Sequence, residues 1–363
     1  MNSSSPQSTP VARDTTTALR GIAILIVLLS HFLTNFIVSH DSFGHAGNAA
    51  VALFFIASGY GNAWSLEKRH SGGNFSLRRF YGDRFFRLYP LYWLALCGIW
   101  ASTKTAPDLW ALLAVKAPYW FVSAIIQCAV AAPLLFAFLK RVGPWRFGLS
   151  LFGGLGLATA GAMGLPEDIR AIVFSNTLSY RNIVLGHIGF FGIGLALPFL
   201  PVVGSQDRSA TAPHRPNARP ATVLPRAKAL GLLALAGLLP GLVLLGEPKG
   251  QLAASLAGLG LAALCTAFTV LLLSGKAQLP CRRALVFLGR NSYALYLFEP
   301  SYFWVMASLG FNPWTRAGLL WCVLAAPAFL LFCQLAESLA GWLSRRVLCC
   351  CTPRSDASPT ANS

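Results

Sequence analysis

LRGIAILIVLLSHF, residues 19–32, is aliphatic along most of its length, with an arginine near one end and a histidine near the other. The apolar run containing it extends over residues 18–38, and about 20 apolar residues suffice for a helix to cross the hydrocarbon of a bilayer. Ionisable groups on such a helix cost about 3 kcal/mol each at its centre on insertion scales. On a helix, eleven steps of about 100° return to within about 20° of the starting direction. Arg20 and His31 therefore share one face, roughly 16 Å apart along the axis. That face can be turned toward a protein interior and away from lipid.

The rest of the chain has the same character. Of its 363 residues, 55% are hydrophobic and only 11% charged, against about 25% charged in soluble domains. The apolar runs lack the alternation of barrel strands. An all-α polytopic membrane helix bundle follows. Ten spans are predicted, beginning near residues 18, 48, 89, 118, 147, 183, 229, 252, 291 and 317. Residues 1–17, rich in Ser, Thr and Pro, are expected to be disordered, with a membrane domain over 18–345 and a disordered tail over 346–363.

A net charge of +17 raises nucleic acid as a partner, but the positions of the basic residues argue against it. They cluster in every second gap between spans, which is the positive-inside pattern and not a single basic face. That bias, with an even number of spans, puts both termini in the cytoplasm. The nine cysteines and six histidines form no zinc spacing, so no metal site is predicted.

Four motifs follow one another along the chain. Arg20 and His31 are separated by ten residues; NAAVALFFIASGY runs from Asn48 to Tyr60; RFFRLYPLYW begins at Arg84; and GRNSYALYL begins at Gly289. In this order the sequence resembles the acyltransferase family 3 membrane proteins, which O-acylate sugars and lipids. The resemblance covers roughly residues 15–345. It implies His31 as catalytic base, and Arg20, Arg84 and Arg87 as the residues that meet an acyl-coenzyme A donor. Guanidinium suits phosphate through paired, charge-assisted hydrogen bonds. Ser58, Trp120 and Tyr293 stand at matched positions and are further site candidates.

The chain departs from the family pattern in two places. Gln127 stands near the position where many members have a glutamate beyond the tryptophan, and Phe298–Glu299–Pro300 replaces a histidine before proline. Glu299 is one of two acids inside the predicted spans, the other being Glu337. Glu299 is therefore expected to pair with a buried cation, either orienting His31 or bonding the substrate, and is a second catalytic candidate.

The function this implies is transfer of an acyl group, acetyl by the habit of the family, from acyl-CoA to a carbohydrate hydroxyl. The acceptor is a surface polysaccharide, a lipid-linked oligosaccharide or a glycolipid. No bound cofactor is expected; acetyl-CoA acts as co-substrate, membrane lipids surround the protein, and polysaccharide biosynthesis proteins are candidate partners. The bacterial inner membrane is the expected location. The alternative is a glycolipid or polysaccharide transporter or flippase using Arg20 and His31 as intramembrane sites.

Overall fold

The computed structural model describes residues 10–36, 42–73, 75–114, 119–163, 184–200, 267–272, 279–311 and 316–351. Among these residues the regular structure is helical throughout, with no strand. The principal helices are α1 (Pro10–Phe36), α2 (Ser42–Ser71), α3 (Leu77–Thr103), α4 (Leu109–Leu112) and α5 (Trp120–Val142). They continue with α6 (Pro144–Met163), α7 (Val184–Ala196), α8 (Arg282–Arg290), α9 (Ser292–Ser308) and α10 (Arg316–Cys351).

Three stretches among the described residues are long and apolar enough to cross a membrane: Arg13–Phe32, Trp120–Val142 and Leu320–Arg346. Helices α2 and α3 have the length, 30 and 27 residues, but are more polar. Of the ten predicted spans, residues 229–246 and most of 252–274 lie outside the described residues, as does the loop 204–228.

The N-terminal boundary differs from expectation. Residues 10–17, assigned above to a disordered segment, form the first two turns of α1. The support is tertiary: the start of α8 lies against these turns, with Arg282 within 4.0 Å of Asp14. Proline is tolerated in the first turn, where its missing N–H has no partner to lose. At the other end, α10 continues to Cys351, past the expected boundary at 345.

Two pairs of helices meet backbone to backbone. A methyl group at Gly21 would stand 1.9 Å from the carbonyl oxygen of Leu285, and one at Gly289 would stand 1.8 Å from that of Thr17. Helices α1 and α8 therefore touch along their glycines. Helices α2 and α7 do the same, with Gly59 facing the Phe191 carbonyl and Gly194 facing that of Ile56. In a bilayer, where lipid is as apolar as leucine, such close approach of small residues is a main source of helix association. The interior they enclose is aromatic, with Phe55, Phe80, Tyr92, Phe147 and Phe191 fully buried. On the outside, α10 exposes Leu320, Leu324, Leu331, Leu335 and Trp342, a surface suited to lipid.

Candidate active site

His31 sits near the end of α1 remote from Arg20, and its partner comes from α9. The two carboxylate oxygens of Glu299 lie 2.9 and 2.8 Å from Nδ1 of His31. The carboxylate is almost fully buried, its side chain 4% exposed, whereas the histidine side chain is 45% exposed. With Nδ1–H donating to Glu299, Nε2 carries the lone pair. A carboxylate in this position fixes the tautomer and the ring orientation. The arrangement leaves Nε2 as the basic nitrogen of a half-exposed ring.

Helix α9 is held at several points, and these place Glu299. The Tyr119 hydroxyl donates to the carbonyl of Leu297, 2.8 Å away and two residues before the glutamate. Tyr293 donates to the carbonyl of Leu88 on α3 at 3.0 Å. The Glu337 carboxylate accepts from the N–H of Ala294 at 3.2 Å. Tyr293, a site candidate from its motif, thus ties α9 to α3.

The three arginines gather at the other end of α1. Arg84 and Arg87 both act electrostatically on Arg20, as does Glu337. Arg20 reaches the Ala57 carbonyl of α2 at 3.5 Å, with Gly61 leaving room beside its guanidinium. Arg84 lies over the Phe80 ring at 5.1 Å, with its Nε buried and without a hydrogen-bond partner among the described residues. Burial, with Arg87 and Arg69 nearby, brings the Arg84 guanidinium down to about 10, so it stays cationic at neutral pH. The ion pairs found among the described residues use His31, Arg69, Lys140 and Arg282. None of them engages Arg20, Arg84 or Arg87. Three guanidinium groups close together without a paired carboxylate have the chemistry to receive a polyanion.

Pro90 lies inside α3, six residues beyond Arg84. Proline inside a helix has no N–H, which strips the carbonyl four residues earlier of its partner. That carbonyl belongs to Phe86, and the Ser344 hydroxyl of α10 lies 2.6 Å from it and 2.7 Å from the Ala340 carbonyl of its own helix, one proton serving both. The turn bearing Arg87 is therefore fastened on both sides, by Ser344 at Phe86 and by Tyr293 at Leu88.

The remaining candidates line the aromatic interior. Trp120 is the first residue of α5, and its ring stacks on His187 of α7 at 5.1 Å. The other face of the stack is Phe55, 4.6 Å from His187 and nearly parallel. Phe121 joins this wall to Tyr296, 5.0 Å away on α9. Ser58 is half-buried, one residue beyond the carbonyl that Arg20 reaches, and its own carbonyl accepts from Asn62 at 2.8 Å. Gln127 donates to Ser123 at 3.0 Å, within its own helix. Among the described residues no group of three His, Cys, Asp or Glu side chains is placed to hold a metal ion.

Residues 17–337 match the family model described as an acyltransferase domain. The chain belongs to acyltransferase family 3. Comparison with curated proteins and with solved structures finds no match. The matched region of this membrane acyltransferase begins three residues before Arg20 and ends at Glu337, so it contains both clusters. His187 and Tyr119 escaped the reading of the sequence. His187 carried the same signal as His31, a histidine alone in the apolar run IVLGHIGFF. Tyr119 carried only its place beside Trp120.

Proposed function

We propose that this family-3 acyltransferase moves an acyl group, most simply acetyl, from acyl-coenzyme A to a carbohydrate hydroxyl, with His31 as general base. The observation that carries the proposal is the pair of His31 with the buried carboxylate of Glu299. An imidazole oriented through Nδ1 takes the acceptor hydroxyl proton on Nε2 as the oxygen attacks the thioester carbon. The C–S bond then breaks, and the proton passes from Nε2 to the departing coenzyme A thiolate. The Glu299 carboxylate stabilises the imidazolium formed in between.

The donor phosphates bind at Arg20, Arg84 and Arg87, whose guanidinium groups have no carboxylate within ion-pair distance among the described residues. The protein spans the membrane several times, in the bacterial inner membrane, with both termini and the arginine cluster on the cytoplasmic side, where acyl-CoA is made. The acceptor is a polysaccharide unit, a lipid-linked oligosaccharide or a glycolipid, supplied by polysaccharide biosynthesis proteins. Trp120 borders it, since an aromatic face suits the apolar side of a sugar ring.

The test is transfer of radiolabel from acetyl-CoA to candidate glycans by the purified protein. Wild type is expected to label an acceptor and His31→Ala to lose that labelling. Equal labelling by both would overturn the base assignment. Movement of the glycan across a vesicle membrane without any donor would favour a transporter instead.

A further inference from the structure

Glu337 has no part in the chemistry described above, yet it stands beside the arginine cluster. Its carboxylate is bound to the N–H of Ala294 in the first turn of α9. That N–H is one of the four at a helix start without a partner inside the helix, and the positive end of the helix dipole favours an anion there. The surrounding contacts converge on Arg87. Tyr293, next to Ala294, holds the carbonyl of Leu88, and Ser344, two turns beyond Glu337, holds that of Phe86. Glu337 acts electrostatically on both Arg20 and Arg87, but it forms no ion pair with either. It is a carboxylate spent on a helix end, within the field of two guanidinium groups.

We propose that Glu337 is a fixed counter-charge of the donor site, which holds down the affinity for coenzyme A and so lets the spent carrier leave. The proposal rests on the reading that Arg20, Arg84 and Arg87 bind the donor phosphates. Acyl-CoA and free coenzyme A carry the same phosphates, so the carboxylate weakens both alike. A site with three cations and no nearby anion would retain its product.

Glu337→Gln separates charge from shape, because the amide oxygen still accepts from Ala294 while the negative charge is gone. With the full-length protein in lipid nanodiscs, the KM for acetyl-CoA and the inhibition constant of free coenzyme A are expected to fall together. The size expected is about fivefold, as for the loss of one charge in a partly screened site. Glu337→Met removes the charge with similar side-chain length and is the second variant, should the glutamine form not purify. An unchanged or raised inhibition constant in either variant overturns the proposal. Arg84→Ala, measured alongside, is expected to weaken coenzyme A binding. If it does so while the Glu337 variants change nothing, the donor site stands and the counter-charge falls. If Arg84→Ala also changes nothing, the donor-site reading fails, and the counter-charge with it.

Discussion

At the scale of single residues, the decisive contrast is between the two members of the His31–Glu299 pair. The glutamate is buried and the histidine half open, so solvent or substrate reaches the ring while the carboxylate is shielded. A buried carboxylate with one partner is costly unless that partner is always present, which suits a residue whose task is to hold the imidazole. In this reading Glu299 positions the base and does not itself meet the acceptor. Glu299→Gln is then expected to lower kcat by up to about 10⁴-fold, the cost of turning the carboxylate behind a histidine base into an amide. The KM values for donor and acceptor should stay near those of wild type. In a His31→Ala background the same change should cost nothing further, since residues acting as a unit are not additive. Steady-state kinetics of the four proteins checks this, and full turnover by Glu299→Gln would remove the glutamate from the mechanism.

At the scale of elements, the glycines of the motifs divide into two kinds. Gly59 of IASGYG faces the carbonyl of Phe191, and a methyl group there would come within 2.0 Å of that backbone oxygen. Nothing at that point is a flexible side chain, so α2 and α7 would have to separate. Gly61, two residues on, would place its methyl 3.5 Å from the Arg20 guanidinium, an ordinary contact. Gly59→Ala is therefore expected to destabilise the protein by at least about 2 kcal/mol, as overpacked cores do. Gly61→Ala should fold as wild type does. Thermal unfolding in detergent distinguishes them, and equal stability of the two variants would show that the α2–α7 contact is looser than its geometry. Pro90 is the other element-level device. It opens a carbonyl on α3 that Ser344, far along the chain, is placed to satisfy.

At the scale of the whole molecule, sequence reading succeeded where the signal was local and failed where it was not. The shared face of Arg20 and His31 follows from helical periodicity alone, and the ordered motifs pointed to the family that the comparison then showed. The pairing of Glu299 was open to inference because so few acids occur in the apolar runs. Residues 10–17 were misread because their helix is steadied by residues 282–289, a contact no local window contains. That same contact gives the topology a direct test. Cys281 is exposed and precedes Arg282, whose side chain lies beside Asp14, six residues before Arg20. Whichever side of the membrane holds Cys281 also holds the start of α1 and, with it, the arginine end of the site. The positive-inside pattern of the basic residues predicts that this side is the cytoplasm. In a variant keeping only Cys281, a membrane-impermeant maleimide should label inside-out vesicles and leave intact cells unlabelled. Labelling from outside the cell would place the arginines away from the acyl-CoA pool, and the donor assignment would fall with the topology.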